Sequence, residues 1–255
     1  YVESFGVYVL GAFVAGFSMT MLNIVVNPML NTLGGGGNKG NQLIQLGGSC
    51  NSIGGTIAPI LLGYLIGGQA SEATVADAAP ALIIAMAIFA VAFVVIYFSA
   101  IPEPHMETAE EKAARLSGKA KKDPHGPMSF RHFVLGAAAI FFYVGVEVGI
   151  PNTANIYMSG LEGVGPVVAG TIVGFYWFCM MLGRLLGGVI GGKVSSKQML
   201  TFACSLALVF VFCLMFIPET VRMTIPVVGV QVPVSMVFMF LCGLCTSVMF
   251  GSIFN

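Results

Sequence analysis

Charge is what this sequence has least of. Of its 255 residues only 9% are Asp, Glu, Lys or Arg, 11 of each sign, and the formal net charge is zero. A soluble domain carries roughly 25% charged residues. A chain that is 57% apolar cannot cover a water-facing surface with so few. The missing basic excess excludes a nucleic-acid-binding surface, and the apolar content excludes a disordered chain. Histidine is scarce too, and His105, His125 and His132 lie in or beside one loop without metal-ligand spacing. No nucleophile elbow, phosphate-binding loop or zinc motif is present, so nothing points to an enzyme. The cysteines sit in apolar runs. Cys242 and Cys245 form a C-x-x-C without a basic neighbour or second pair, which reads as packing. The sequence has no initiator Met and no signal peptide, and it ends within an apolar run; it reads as an internal piece of a longer membrane protein.

Long apolar runs are abundant. About 20 apolar residues cross a bilayer as a helix, and the chain offers seven such spans, at 5–30, 43–67, 78–101, 133–158, 167–190, 199–217 and 232–255. Only Glu147 and Arg184 place a charge inside a span. The expected fold is all-α and integral to the membrane, with about seven transmembrane helices.

The basic residues set the orientation. Loops one, three and five hold Lys39, then Lys112, Arg115, Lys119, Lys121, Lys122 and Arg131, then Lys193 and Lys197; loops two, four and six hold Arg222 alone. The positive-inside rule puts loops one, three and five in the cytoplasm. The acids Glu72, Asp77 and Glu162 of loops two and four suit the outer face. Loop three, about 102–132, carries most of the charge and divides the chain into three spans (1–101) and four (133–255). It reads as a solvated cytoplasmic linker whose segment ETAEEKAARLSGKAKK suits a short amphipathic helix.

Polar and helix-breaking residues inside the spans mark the candidate site. In span one, Asn23 and Asn27 share a face, and Pro28 frees the carbonyl of Ile24. Asn23 lies deeper and is a candidate cavity residue; Asn27-Pro28 reads as a kink or cap. In span two Gln45, Ser49, Ser52 and Thr56 form one polar stripe, Asn51 lies beside it, and Gly47, Gly48, Gly54 and Gly55 allow close helix approach. Span four carries Glu147, the one carboxylate well inside a span. Such a group is a functional candidate by default. Pro151 frees the carbonyl of Glu147 itself, giving a broken turn beside Asn152 and Asn155. The alternative reading pairs Glu147 permanently with a buried cation such as Arg184. Arg184 lies toward the cytoplasmic end of span five, from which it can snorkel to the interface. Gly183, Gly187, Gly188, Gly191 and Gly192 form small-xxx-small positions around it. The glycines 34–37 read as a turn.

Four segments carry a resemblance: NIVVNPMLNTLG (23–34), LGGSCNSIGGTIAP (46–59), FFYVGVE (141–147) and MLGRLLGGVIGGKVSSKQML (181–200). With the span pattern, they make the chain resemble the fucose/galactose/glucose:cation symporters of the major facilitator superfamily, in the glucose/galactose branch. The resemblance implies that the seven spans correspond to helices 4–10 of a twelve-helix transporter. It makes loop three the linker between two six-helix halves and leaves the first three helices, with another family carboxylate, outside the chain. Asn23 stands where fucose-type members carry a proton-taking carboxylate, and an amide cannot be protonated. Asn51 matches an Asn of the sugar cavity, and Glu147 matches a Glu of the glucose/galactose branch. The resemblance implies a multi-pass protein of a bacterial inner membrane and a monomer.

The function read from these residues is secondary active transport of a neutral monosaccharide, a hexose such as glucose or galactose. It runs by alternating access, coupled to a proton or sodium, with no other cofactor. Amides suit this cargo because each offers a donor and an acceptor to sugar hydroxyls. The substrate-binding candidates are Asn23, Gln45, Asn51, Glu147 and Asn152, and Glu147 is also the coupling candidate. Trp177, Tyr176 or Tyr143 can stack on a sugar ring or serve as core. The partners are the monosaccharide and the lipid bilayer. Two alternatives stand: a transporter of another neutral solute, and a seven-helix receptor. The receptor shares the span count and outward amino end, but span three ends without an acid-Arg pair and span seven has neither a retinal-type Lys nor Asn-Pro-x-x-Tyr.

Overall fold

A computed structural model of the chain describes residues 5–66, 75–100, 113, 116–117, 126–161, 164–226 and 229–254. The helices are α1 (Phe5–Leu33), α2 (Gly37–Ile66), α3 (Val75–Phe98), α4 (Arg131–Ser159), α5 (Pro166–Gly191) and α6 (Ser196–Phe216). An antiparallel hairpin follows, β1 (Arg222–Ile225) and β2 (Val230–Pro233), then α7 (Ser235–Thr246) and α8 (Met249–Phe254). Six stretches are long and apolar enough to cross a membrane, α7 and α8 counting as one. The remaining expected span, α2, has 30 residues, long enough to cross a bilayer. The protein is a multi-pass membrane protein built of these helices.

Helix boundaries fall within a few residues of the expected spans except at α2, which begins at Gly37 rather than residue 43. The cause is the glycine turn. Gly35, Gly36 and Gly37 have φ of 74°, 71° and 56°, a left-handed backbone that glycine adopts without a Cβ clash. The chain therefore reverses within three residues, and Lys39 falls in the first turn of α2 rather than in a loop. Pro28 and Pro59 lie inside α1 and α2 without ending them. Of the charged segment after α3, the described residues show one helical-turn bond, from Ser117 N–H to the Ala113 carbonyl at 2.9 Å. The rest of the amphipathic-helix reading lies outside the described residues, as do Glu72 and Glu162.

The central packing feature is the antiparallel pair α2 and α5, in contact from end to end. Gly191 lies against Asn41, Gly48 against Arg184, Gly55 against Trp177, and Gly170 against Pro59. On α2, Asn41, Gly48 and Gly55 recur every seven residues; on α5, Gly170, Trp177, Arg184 and Gly191 do the same. A seven-residue seam keeps facing its partner when two helices wind left-handed around each other. Small residues make the approach close: a Cβ on Gly170 would come within 2.6 Å of the Pro59 carbonyl oxygen, and one on Gly55 within 2.9 Å of the Trp177 ring. The stripe of Gln45, Ser49 and Ser52 is buried at this seam.

A second apolar core lies beyond Trp177 toward the start of α5. Met158 of α4, Ile172, Tyr176 and Met180 of α5, and Met239 of α7 are buried there together with Val232 of the hairpin. The hairpin is a correction to the sequence reading, which gave only a loop. Its register pairs Met223 with Val232 and Thr224 with Gln231, and Gly229 turns it at φ 65°. The alternating β-branched run before and after Gly229 is the signal that identifies it. By contrast, none of the described residues of α1 and α3 is buried within this chain. The last span is interrupted at Ser247 and Val248. There Thr246 Oγ1 donates to the carbonyls of Cys242 and Gly243, at 3.1 and 3.2 Å, and such back-bonding bends helices.

Candidate functional site

Glu147 lies midway along α4 and Arg184 in the last third of α5. Their side chains meet, Arg184 Nη2 donating to Glu147 Oε1 at 2.7 Å, and both are nearly buried, with side-chain exposures of 8% and 13%. Among the described residues this is the one ion pair. Arg184 Nη1 donates to the Gly48 carbonyl and to Ser52 Oγ, each at 2.8 Å. The guanidinium thus ties α2, which precedes the charged linker, to α4 and α5, which follow it. Gly48 makes the approach close: a Cβ would stand 3.2 Å from the Arg184 side chain, tighter than ordinary contact.

The snorkelling reading of Arg184 is corrected. Helical side chains lean toward the helix N-terminus, and the N-terminus of α5 is the end remote from Lys193. Arg184 therefore reaches away from the near interface and into the span, where Glu147 meets it. A charge at such depth is retained only with a partner, and the pair supplies one to each residue. Tyr143, one turn before Glu147 on α4, is buried beside the pair, and among the described residues its hydroxyl has no hydrogen-bond partner. Tyr176 Oη donates to the backbone carbonyl of Glu147 at 3.2 Å and lies 3.3 Å from Thr246 Oγ1. The expected broken turn at Glu147 is absent, because α4 runs through Pro151 unbroken.

A polar knot lies one to two turns from the pair, toward the Lys39 and Lys193 end. Gln45 Nε2 donates to the Val248 carbonyl at 3.0 Å, and Asn41 Nδ2 to Ser196 Oγ at 3.4 Å. Gly251 is seated against both amides; a Cβ there would lie 2.6 Å from Asn41 Oδ1 and 2.9 Å from Gln45 Nε2.

The sequence profile of the Major Facilitator Superfamily matches residues 2–255. The chain belongs to the Major Facilitator Superfamily. It is 30% identical over 259 residues to a protein named glucose/galactose transporter from Brucella abortus biovar 1 (strain 9-941), covering 99% of this chain and 58% of that protein. The same figures hold for the protein of that name from Brucella abortus (strain 2308). The chain thus spans less than two thirds of the length of these relatives. No solved structure matches it.

Within this superfamily chain the five sequence-selected residues fall in three places. Glu147 is in the ion pair. Gln45 is buried, but its amide is engaged with α8 rather than with that pair. Asn23 of α1, Asn51 of α2 and Asn152 of α4 are exposed in the chain as described. Asn51 is adjacent to Ser52 and so shares the depth of Arg184, turned about 100° around α2. Of the amides expected beside Glu147, both Asn152 and Asn155 are exposed in the chain as described. Of the aromatic candidates, Tyr176 is fully buried in the core and Trp177 packs on Gly55. Sequence reasoning missed Gly48 and Ser52 as acceptors for Arg184, and Tyr176 and Thr246 beneath Glu147. The freed carbonyl of Glu147 was visible from Pro151; its donor, 29 residues away in sequence, was not. Among the described residues no group of three His, Cys, Asp or Glu side chains is placed to hold a metal ion.

Proposed function

We propose that the chain forms part of a secondary active transporter that moves a neutral hexose, such as glucose or galactose, together with a proton or sodium ion. The observation that carries this reading is the Glu147–Arg184 pair, a carboxylate at mid-span held by a guanidinium that is bonded in turn to α2. The name shared by the two Brucella relatives supports the sugar. Transporters of this architecture bind cargo near the bilayer midplane between their halves, and Glu147 and Asn51 fall midway along α4 and α2.

Residues 1–101 and 133–255 would then belong to the two halves, joined by the cytoplasmic linker 102–132, and would rock around the site. A proton or sodium ion on the Glu147 carboxylate removes or shares its negative charge and weakens its hold on Arg184. Arg184 keeps its bonds to Gly48 and Ser52 of α2. The link from α2 to α4 thus depends on the charge state of one residue, as coupling requires: a ligand shifts a two-state equilibrium only by binding the two states differently. Sugar hydroxyls approaching Glu147, Asn51, Asn23 or Asn152 would meet donors and acceptors suited to them. The protein works as a monomer in a bacterial inner membrane and catalyses no chemical conversion.

The test uses the full-length protein in proteoliposomes, with labelled hexose uptake under an imposed proton gradient, an imposed sodium gradient, or neither. A gradient is expected to drive accumulation. Glu147→Gln is expected to keep sugar exchange and lose accumulation. If no hexose moves under any gradient, the hexose reading fails and the cargo is another neutral solute. If Glu147→Gln accumulates sugar with unchanged pH or sodium dependence, Glu147 is not the coupling group.

A further inference from the structure

Pro151 has no N–H, so α4 lacks the helical hydrogen bond to the carbonyl of Glu147. An unpaired carbonyl inside a membrane span has no water to turn to. Yet α4 continues unbroken to Ser159. The replacement donor comes from α5, where the Tyr176 hydroxyl reaches the Glu147 carbonyl at 3.2 Å. Tyr176 is fully buried. Its oxygen lies 3.3 Å from Thr246 Oγ1, whose proton is engaged by the Cys242 and Gly243 carbonyls of its own helix, and the single Tyr176 proton goes to the Glu147 carbonyl, which lacks a helical donor. Two residues of α5 therefore grip one residue of α4 at different atoms: Arg184 holds the carboxylate and Tyr176 the backbone.

We infer that Tyr176 is a positioning residue for Glu147: its hydroxyl replaces the N–H that Pro151 lacks and fixes the turn of α4 from which the carboxylate reaches Arg184. A helix with an ordinary residue at 151 would satisfy this carbonyl within itself and leave α4 free of α5 at that point. With proline, the backbone of the carboxylate is registered against α5, at a tyrosine that lies beside Thr246 at the end of α7. The titratable and charged groups around Glu147 and its carbonyl are Arg184 and Tyr176 of α5, Tyr143 of α4 and, beside Tyr176, Cys242 of α7. The inference rests on the proposed reading of Glu147 as the cation-responsive group.

The experiment is a double-mutant cycle in the full-length protein: wild type, Tyr176→Phe, Pro151→Ala and the double variant. Phe keeps the ring that packs edge-on to Trp177, with centroids 5.7 Å apart, and removes only the hydroxyl. Ala at 151 restores an N–H to the helix. The readouts are gradient-driven hexose uptake across a pH series and the melting temperature in detergent. Tyr176→Phe is expected to move the pH midpoint of uptake by about half a unit to one unit, the worth of one hydrogen bond, and to lower the melting temperature. Pro151→Ala is expected to leave the midpoint unchanged and to abolish both effects of Tyr176→Phe in the double variant. The inference is overturned if Tyr176→Phe leaves the midpoint where it was, or if the double variant carries the full effect of Tyr176→Phe. Glu147→Gln is run alongside. If it retains wild-type pH dependence, the coupling reading fails, and the cycle in melting temperature decides the hydroxyl-for-N–H relationship by itself, additivity of the two substitutions counting against it.

Discussion

Arg184 bonds the Glu147 carboxylate with one terminal nitrogen and the Gly48 carbonyl and Ser52 hydroxyl of α2 with the other. One guanidinium therefore joins three helices. Removing one partner of a buried pair leaves the other charge uncompensated, which costs about 3–5 kcal/mol, whereas replacing both is often near neutral. Arg184→Gln is accordingly expected to lower the melting temperature sharply, and Glu147→Gln/Arg184→Gln to recover most of the loss. A double variant no more stable than Arg184→Gln alone would show that the pair is not what holds these helices.

Two serines one turn apart on α2 differ in what they touch. Ser52 Oγ accepts from Arg184, whereas Ser49 Oγ donates only to the carbonyl of Gln45 in its own helix. Both side chains are small and buried. A hydrogen bond to a charged group is worth about 1.5–3 kcal/mol, and a local back-bond to a helix carbonyl far less. Ser52→Ala is expected to destabilise by about 1–2 kcal/mol and Ser49→Ala by a few tenths, measured as unfolding in detergent. Equal effects would mean that the Arg184 contact adds nothing.

The sequence exposed the helices and hid their pairing. Run length and the near absence of charge located every span, because a membrane helix must satisfy its backbone internally and cover itself with apolar side chains. The stripe Gln45, Ser49, Ser52 and the glycines around Arg184 both signalled close approach, but neither said that α2 and α5 approach each other. That information lies in the matching seven-residue spacing of Asn41, Gly48 and Gly55 with Gly170, Trp177, Arg184 and Gly191. Glu147 stood out because a carboxylate at mid-span is rare. The pairing of Glu147 with Arg184, one of the two readings the sequence left open, is the one the structure shows; the snorkelling reading of Arg184 fails because its side chain runs toward the start of α5. Asn152 was grouped with Glu147 from sequence proximity; five residues along a helix turn it about 140° away.

Glycines of the seam and glycines outside it respond oppositely to a methyl group. At Gly170 a Cβ would stand 2.6 Å from a backbone oxygen of α2, which cannot move aside alone; at Gly54 it would meet nothing within 4 Å. Gly170→Ala is expected to cost about 1–3 kcal/mol by overpacking. Gly54→Ala is expected to be neutral or to gain up to about 1 kcal/mol from helix propensity. Melting temperatures of the two variants check this, and a tolerated Gly170→Ala would mean that α2 and α5 are not in contact there.

The distribution of basic residues predicts the sidedness of the chain, which can be read directly. Lys193 ends the α5 side that also holds Lys39, and Arg222 begins the hairpin at the opposite end of α6. Both residues are exposed, so cysteines placed there in a cysteine-free background should react with thiol reagents. With a membrane-impermeant maleimide on intact cells, Arg222→Cys is expected to label from outside and Lys193→Cys only after permeabilisation, as the asymmetry of Lys and Arg requires. This orientation puts the knot of Asn41, Gln45 and Gly251 on the cytoplasmic side, so the described conformation has α2 packed against α5, α6 and α8 there. The reverse labelling pattern would turn the bundle over and make the same knot an outward-facing contact.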